Sequence, residues 1–289
     1  MNQNRILHED NDIIVCHKPA GIATQTARVG QADMVSEMAN YLMHGKKASD
    51  GYRLKDMTGQ GSDNGGGKSP YVGVVHRLDQ PVEGILVFAK NKQAAADLSR
   101  QAAGEGMKKE YLALVCGKDM QQSGELTDFL LKDGKTNLSR VVPPEVKGAK
   151  KARLSYETLW EKSPEVLFPA EREEMAWESN EEKGAAVVRP HDLTSVMLMN
   201  ICLHTGRHHQ IRVQMANAGM PLLGDHKYAG EEVLALSKKL GIRETALCAY
   251  RLAFTHPKTG KRMRFEIQPE GAAFREIVMR IRNLKYKIV

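Results

Sequence analysis

Short apolar runs separated by polar turns are the feature that most limits the fold of this chain. Runs rich in Val, Ile and Leu recur along its 289 residues, whereas segments with helical periodicity are fewer. Strands and helices do not alternate regularly, as they would in a parallel α/β protein. The pattern therefore predicts an α+β fold in which helices flank a long, mixed and mainly antiparallel sheet.

The predicted elements follow from this periodicity and from turn residues. Thr205 is predicted to cap the third of the four helices. The predicted helices are Ala32–His44, Lys92–Gln101, His208–Ala218 and Phe274–Leu284. The predicted strands are Ile13–Cys16, Tyr71–Val75, Gly84–Ala89, Glu110–Val115, Arg153–Trp160, Ser195–His204, Leu247–Phe254 and Met263–Ile267.

Two irregular segments interrupt this pattern. Residues 45–70 are polar and rich in Gly and Ser, and residues 161–192 are acidic with three prolines. We expect both to be insertions within a single domain that spans residues 1–289. Gly67-Lys68-Ser69 in the first segment is not a phosphate-binding loop, because Ser62 stands where an earlier glycine is required and no buried strand precedes it.

Composition and charge exclude several classes of protein. No apolar run is long enough to cross a membrane, and the polar amino terminus is unlike a secretory signal, so we expect a cytoplasmic protein. The four cysteines are far apart and without metal-binding spacing, which favours buried, reduced thiols. The formal charge of +7 and the pI near 9.1 favour a polyanionic partner.

The stretch VVHRLDQPVEGILVFAKNK, from Val74 to Lys92, places a charged pair between two apolar runs. Arg77 and Asp79 are two residues apart, so at the end of a strand both side chains would point to the same side. Such a pair is either a solvated ion pair beside a turn or part of a catalytic site. These residues alone leave both interpretations open.

Two further regions carry candidate chemistry. Tyr111 lies in an otherwise aliphatic strand, either as a core residue or as an aromatic face for a nucleobase. The densest polar cluster, HTGRHHQIRV, starts where a strand is expected to give way to a helix, and the free backbone donors there favour anions. Arg207 and Arg212 in this cluster are predicted to bind phosphate or carboxylate groups through their rigid, permanently charged guanidinium groups.

A zinc site is the competing interpretation of this cluster. His204 and His208 are four residues apart, but Gly206 interrupts the helical spacing and no carboxylate or thiol accompanies them. We therefore expect no metal there.

Four stretches of the chain resemble, in this order, the successive motifs of the RluA-type RNA pseudouridine synthases. They are GVVHRLDQPVEGILVFAKN, KKEYLALVCG, LHTGRHHQIRVQMANAGMPLLGDHKY and LCAYRLAFTHP. The opening ILHEDNDIIVCHKPAGIAT is similar to the first motif of that family. The resemblance runs from Ile6 to Pro269 and is interrupted at the two insertions.

This resemblance implies an enzyme that isomerises uridine in ribosomal or transfer RNA to pseudouridine in a central cleft, without metal or organic cofactor. Asp79 matches the essential aspartate of the family, Tyr111 the tyrosine that stacks on the target base, and Arg212 the arginine paired with the aspartate. A monomer without a separate RNA-binding domain before the catalytic core is expected. The residues expected to bind the substrate are His76, Arg77, Arg207, His209, Gln210 and Leu247.

The chain departs from the family pattern at three places. Val82-Glu83-Gly84 replaces a Thr-Ser-Gly turn, and Gln214 and Cys248 each stand where a histidine is expected. These changes put the choice of substrate in doubt more than the chemistry.

Two alternatives remain at the level of sequence. One is a noncatalytic RNA-binding protein that retains the fold. The other is hydrolysis of a glycosidic bond, which usually needs a pair of carboxylates, and Glu83 is the other carboxylate close to Asp79 in sequence.

Overall fold

The computed structural model describes residues 5–26, 30–44, 70–117, 121–163 and 195–275. Most of both predicted insertions, and most of the predicted helix Phe274–Leu284, lie outside the described residues. Residues 161–162, which were assigned to the second insertion, instead end a long strand. No helix in the described part of the chain is long and apolar enough to span a bilayer.

The described residues contain eleven strands and four helices, followed by a helical turn at residues 272–275. The helices are α1 Met34–His44, α2 Lys92–Ala103, α3 Gln210–Asn217 and α4 Glu231–Lys239. The strands are β1 Ile6–Glu9, β2 Ile13–Lys18, β3 Gly73–Val74, β4 Glu83–Ala89, β5 Lys108–Gly117, β6 Ser123–Asp133, β7 Leu138–Val142, β8 Lys150–Lys162, β9 Ser195–Leu203, β10 Leu247–Thr255 and β11 Arg262–Glu266.

One twisted sheet contains all eleven strands, in the order β1-β2-β4-β10-β5-β9-β8-β6-β7, with β3 beside β4 and β11 beside β10. Every pairing is antiparallel except that of β4 with β10. The predicted mixed, mainly antiparallel sheet is therefore confirmed. The parallel pairing is short and joins two distant parts of the chain in the middle of the sheet.

Gly84 makes this parallel pairing possible. It pairs with Ala249 and has a φ of +141°, and a Cβ atom at this position would lie 2.5 Å from the Cβ of Ala249. Only glycine combines that backbone angle with so close an approach. Gly84 is therefore required for the close pairing of β4 with β10.

The helices cover both faces of the sheet. Buried residues of α1 and α3 pack on one face, together with Tyr111 and Leu247. On the opposite face, α2 packs over the part of the sheet formed by β2 and β4, while Val233 of α4 packs over β5, β9 and β10. Because residues of a strand alternate between faces, the face that carries Tyr111 is fixed by the register of β5.

Most of the predicted elements are confirmed to within a few residues. The predicted strand Tyr71–Val75 is the exception, since only Gly73–Val74 pairs with β4. The charged segment that follows it, residues 75–79, is not part of a strand. Four elements were not predicted, and they are β1, β6, β7 and α4.

Candidate active site

Asp79 lies in an irregular segment that two buried polar side chains hold in place. The Thr24 hydroxyl donates to the Leu78 carbonyl at 2.9 Å and accepts from the Leu78 amide at 3.0 Å. The ammonium group of Lys18, which is fully buried, donates to the carbonyls of Pro19, Ile22 and Gln80. The backbone on both sides of Asp79 is therefore fixed by side chains, one of them from the end of β2, and not by strand pairing.

The pKa of Lys18 reflects this burial. Burial lowers it to about 8, while the negative charges of Asp79 and then Glu83 oppose the shift. Lys18 thus lies close enough to Asp79 to contribute to the charge balance of the site, although it was not predicted as a site residue.

Arg212, on the buried side of α3, connects two carboxylates. Its Nε and one terminal nitrogen donate to Asp225 at 2.8 and 2.5 Å, while the other terminal nitrogen donates to Asp79 Oδ2 at 3.2 Å. Burial disfavours the charged guanidinium, but the bonds and charges of Asp225 and then Asp79 outweigh it and raise the pKa of Arg212. The predicted contact between Arg212 and Asp79 is present.

His209 contacts the same oxygen of Asp79 from another side. Its Nε2 lies 3.7 Å from Asp79 Oδ2, and its Nδ1 lies 2.7 Å from the hydroxyl of Tyr228. That hydroxyl accepts from the Ser139 amide at 2.8 Å, so its own proton is available for Nδ1 and the Nε2–H can face Asp79. Burial lowers the pKa of His209 to about 4, with the charge of Asp79 opposing, so the neutral ring prevails at neutral pH.

The start of α3 differs from the prediction. Helix α3 begins at Gln210 with His209 as its N-cap in the left-handed region, at a φ of 52°, and Thr205 is not the cap. Thr205 instead donates to the side-chain oxygen of Gln210 at 2.8 Å, and that oxygen also accepts from the Arg207 amide. The helix starts later because the Gln210 side chain closes the preceding turn.

Gln210 and Arg207, both predicted to bind substrate, have different surroundings. The side-chain nitrogen of Gln210, a buried residue, donates to the Arg153 carbonyl and to Gln214, so its amide contacts protein on both sides. Arg207 is exposed and its Nε donates to the Lys151 carbonyl at 2.9 Å. The geometry gives Gln210 a positioning role in this turn and leaves the Arg207 side chain at the surface.

Tyr111 and Leu247 form the apolar part of the site. Leu247, at the first position of β10, pairs with Ala113 of β5, so Tyr111 and Leu247 lie on the same face of the sheet. Tyr111 is 6% exposed and Leu247 4%. The ring of Tyr111 thus belongs to the core and lines the cleft at the same time, which combines the two interpretations of the sequence.

A cleft of about 600 Å³ brings these residues together. Within the described part of the chain, Asp79 is the one carboxylate that lines it. All nine residues predicted for the site line the cleft, namely His76, Arg77, Asp79, Tyr111, Arg207, His209, Gln210, Arg212 and Leu247.

His76, which lines the cleft, has one ring nitrogen without a hydrogen-bond partner among the described residues. Its Nε2 accepts from the Val87 amide at 3.3 Å, so the neutral ring carries its proton on Nδ1. That Nδ1 is buried and has no hydrogen-bond partner among the residues that the structure describes. Burial, with the positive charge of Lys109, lowers the pKa of His76 to about 3 and keeps the ring neutral.

Sequence reasoning missed four residues of the site. Lys18 and Lys109 were missed because a single lysine in an apolar run gives no local signal. Asp225 and Tyr228 belong to the GDHKY end of the third motif, so the resemblance covered them, but nothing in their spacing pointed to Arg212. Burial also lowers the pKa of Lys109, which lines the cleft near Tyr111.

The first of the three departures from the family pattern adjoins Asp79, since Val82 lines the cleft and its amide donates to the Asp79 carbonyl at 3.0 Å. The side chains of Glu83 and Gln214 have other partners. Glu83 is 3% exposed and accepts from the Gly271 amide at 2.9 Å, and it pairs in the sheet with Cys248. Gln214 donates to Asp128 at 2.7 Å and accepts from Gln210. Glu83 is therefore not available as a second carboxylate in the cleft.

Possible metal ligands in the described residues have other partners. His204 Nε2 lies 3.0 Å from the Ser155 hydroxyl and does not line the cleft. Asp10, Asp12 and His256 lie close together, but both ring nitrogens of His256 are in use. Its Nε2 bonds to Asp10, and its Nδ1 accepts from the amides of Lys258 and Thr259.

The fold and the cleft define a class of site. Asp79, the one carboxylate in the described lining, contacts the buried guanidinium of Arg212, and an aromatic ring and a leucine form an apolar wall. The cations that line the same cleft are Arg77, Lys109, Arg207 and Arg212. Such a site suits an anionic substrate that also presents a flat ring.

Comparison with known proteins identifies the family. Residues 12–217 match the family described as RNA pseudouridylate synthase. The chain is 30% identical over 282 residues to ribosomal large subunit pseudouridine synthase C of Salmonella typhimurium, an alignment that covers 97% of this chain and 70% of the relative. It is 29% identical over 257 residues to tRNA pseudouridine synthase C of Haemophilus ducreyi, covering 88% and 86% of the two chains.

A solved structure supports the fold. The human protein titled RNA Pseudouridylate Synthase Domain Containing 4 superposes with a TM-score of 0.63 at 20% identity, covering 96% of this chain and 93% of the other. The chain belongs to the RNA pseudouridylate synthase family. It is an isomerase that acts on RNA, of the RluA type that the sequence motifs resemble.

Proposed function

We propose that this chain converts uridine in ribosomal or transfer RNA to pseudouridine, with Asp79 as the group that acts on the bound nucleotide. The observation that carries the proposal is the position of Asp79, 3.2 Å from Arg212 in a cleft that Tyr111 also lines. One of the relatives described above is named as a tRNA pseudouridine synthase and the other as a ribosomal large subunit pseudouridine synthase.

The reaction is an isomerisation, so no second substrate supplies atoms to the product. The bond between C1′ of the ribose and N1 of uracil breaks, the base turns, and a bond forms between C1′ and C5. The C5 proton leaves and N1 gains a proton, so the product is an isomer. An ionised aspartate can act in this reaction as a nucleophile or as a base, and Arg212 donates a hydrogen bond to Asp79 Oδ2 at 3.2 Å.

Tyr111 and Leu247 provide the surface for the base. Extruding a nucleotide from a stack costs a few kcal/mol, and stacking on an aromatic ring returns about 1–3 kcal/mol per base. The burial of Tyr111 keeps its ring in one orientation, which supports a stacking role. The exposed Arg77 and Arg207 are placed to contact phosphates around the extruded nucleotide.

Hydrolysis of a glycosidic bond is less well supported. Glycosidases use two carboxylates with separate roles, whereas the described lining of this cleft contains Asp79 and no other carboxylate. Glu83 is bonded to the backbone at Gly271.

We further propose that the protein works as a monomer in the cytoplasm. The described residues of one chain supply every group in the proposed chemistry, which supports a monomer. Light scattering of the purified protein with and without RNA tests the oligomeric state, and a stable dimer in both conditions would contradict it.

The proposed chemistry is tested with RNA that carries tritium at C5 of uridine. Asp79→Asn is expected to fold and bind RNA but to release tritium at least about 100-fold more slowly. Asp97→Asn is the matched control, because Asp97 also pairs with an arginine, Arg100, at 2.9 Å, but on α2 outside the cleft. Tritium release by Asp79→Asn at the parent rate would refute the role of Asp79, and free uracil among the products would favour hydrolysis.

A further inference from the structure

A second cleft adjoins the first. It has a volume of about 360 Å³, and its walls come from β6, β7, the start of β8 with the turn before it, and the turn before α3. Gly206, Arg207 and His208 line both clefts. The two clefts therefore meet at this turn, and a chain molecule that leaves the first cleft there enters the second.

Positive charge dominates the second cleft. Lys132, Lys150 and Arg207 line it and are exposed to solvent. Among the residues that the structure describes, the lining of this cleft contains no carboxylate, and none of the three cations lies within 4.0 Å of a carboxylate oxygen. Cations that are not neutralised by the protein itself attract an anionic partner.

His208 connects the two clefts. Its ring stacks on that of His209 with centroids 3.7 Å apart, and His209 Nε2 lies 3.7 Å from Asp79 Oδ2. The Ser139 hydroxyl lies 2.9 Å from His208 Nδ1 and fixes the ring. Two stacked rings thus separate the Asp79 carboxylate from the second cleft.

The pKa of His208 reflects both its burial and the charges around it. Burial lowers the pKa of His208, and the charge of Lys132 is the next largest cause, with Lys227 and Arg77 acting in the same direction. Asp79 opposes them. Cations from three different segments therefore act on one ring at the boundary of the two clefts.

We propose that the second cleft binds the RNA backbone next to the nucleotide held in the first cleft, with Lys132 and Lys150 as phosphate partners. This inference rests on the proposed function for the nature of the bound chain. The apolar residues Leu130 and Leu131 also line the cleft and suit the sugar or base edge of the neighbouring nucleotide. Arg207, at the junction, contacts the phosphate between the two nucleotides.

RNA fits this cleft better than an acidic peptide does. Both clefts share the Gly206–His208 turn, so one nucleic acid chain can occupy both with consecutive nucleotides. A nucleic acid chain carries one charge per nucleotide and places a phosphate on each side of an extruded base.

The inference is tested by the salt dependence of binding to a fluorescently labelled ten-residue oligouridylate. The double variant Lys132→Gln/Lys150→Gln is expected to reduce the slope of log Kd against log salt concentration by about 1.4, since each contact with single-stranded nucleic acid contributes about 0.7. The double variant Lys132→Arg/Lys150→Arg is expected to retain the slope. A structural role for the lysines would not produce this difference.

The matched control is Lys135→Gln/Lys147→Gln. Both lysines are exposed and lie in the turns beside β7 and before β8, but neither lines the cleft. This control removes the same charge and is expected to leave the slope unchanged. Equal slopes for the two Gln double variants would overturn the proposal, because the charge would then act without a defined site.

A second measurement separates this inference from the proposed function. In tritium release from C5-labelled RNA, Lys132→Gln/Lys150→Gln is expected to raise KM about tenfold or more and to leave kcat within about twofold of the parent. If the parent protein released no tritium but the change in salt slope persisted, the proposed function would fail and the RNA subsite would stand. Normal KM with an unchanged slope would refute the subsite alone.

Discussion

Arg212 contacts two carboxylates, one in the buried layer beneath the active-site cleft, here called the floor, and one that lines the cleft at its mouth. At the floor, Asp225 is fully buried and accepts two bonds, at 2.8 and 2.5 Å. At the mouth, the Asp79 side chain is 29% exposed and accepts one bond from Arg212, at 3.2 Å. Asp225 therefore fixes the guanidinium with two hydrogen bonds, and Asp79 accepts a single, longer hydrogen bond from it.

This difference assigns separate tasks to the two carboxylates. Asp225 uses both oxygens to orient Arg212, and its Oδ1 also accepts from the Lys227 amide at 3.0 Å. Asp79 lines the cleft with a partly exposed side chain, so a substrate can reach it. A catalytic group must be accessible and a group that positions it must be rigid, so the two requirements are met by two residues.

The largest expected effect is a difference in the free energy of unfolding between a variant at the floor and a variant at the mouth. Asp225→Asn is expected to lower the free energy of unfolding by about 3–5 kcal/mol, because it leaves a buried guanidinium without its main partner. Asp79→Asn is expected to change it by less than about 1 kcal/mol, because its pair with Arg212 is partly solvated. Urea denaturation measures both, and equal losses would contradict the division of tasks.

Substitution of Tyr111 tests the apolar wall of the mouth. In the Asp79→Asn background, Tyr111→Leu is expected to weaken RNA binding by about 1–3 kcal/mol, because the aromatic stacking surface is lost. Tyr111→Phe keeps the ring and is expected to retain the affinity within about twofold. Fluorescence anisotropy measures the affinity, and comparable losses in both variants would exclude stacking as the role of the ring.

The pH dependence of the free energy of unfolding tests the buried, neutral state of His76, which lines the cleft beside Asp79. The folded protein holds the pKa of His76 near 3, while an unfolded histidine titrates near 6.5. Between these values the unfolded state binds the additional proton, so the free energy of unfolding falls as the pH decreases from 6.5, by up to about 1.4 kcal/mol per pH unit.

His76→Gln is expected to reduce this slope, because glutamine can accept from the Val87 amide without binding a proton. Part of the slope is expected to remain, because the pKa of His209 is also lowered, to about 4. The exposed His226 provides the control, since His226→Gln is expected to leave the slope unchanged. Urea denaturation from pH 7 to pH 4 measures the slopes. A His76→Gln profile parallel to that of the parent would show that His76 does not cause the acid sensitivity.

The smallest effect is expected at Tyr228. Tyr228→Phe keeps the ring, whose centroid lies 5.3 Å from the guanidinium carbon of Arg212, but removes the bonds to His209 and to the Ser139 amide. We expect a loss of about 0.5–1.5 kcal/mol in unfolding free energy. The exposed Tyr71 gives the control, Tyr71→Phe, and a loss as small as in this control would show that the hydroxyl does not support the floor.

Much of the fold could be predicted from the sequence, because period and turn residues reveal strands whose inward positions are consistently apolar. Strand β6 was not predicted, and its side chains are mostly exposed or half-buried, so its apolar signal is weak. The start of α3 was misplaced because Thr205 is a good cap by type. Its hydroxyl bonds to the Gln210 side chain instead, and this contact depends on how the turn closes.

The candidate site was predictable where a residue belongs to a recognisable motif. Asp79, Tyr111 and Arg212 were found in this way, and the structure places all three in one cleft. Asp225 and Lys18 were not found, because their importance lies in burial and in partners rather than in residue type. The second cleft could not be inferred either, since Lys132 and Lys150 are ordinary surface residues in the sequence and only Arg207 was predicted to bind substrate.

The sequence by itself determined most of the strands, the excess of positive charge, and the carboxylate, ring and guanidinium that the chemistry requires. Tertiary structure decided that Asp225 is buried while Asp79 is accessible, and which cations line the two clefts. The reason is that Asp79 and Arg212 are 133 residues apart and meet only through the order and register of the sheet. Local periodicity carries information about which face of an element is buried, but not about which distant residue lies opposite it.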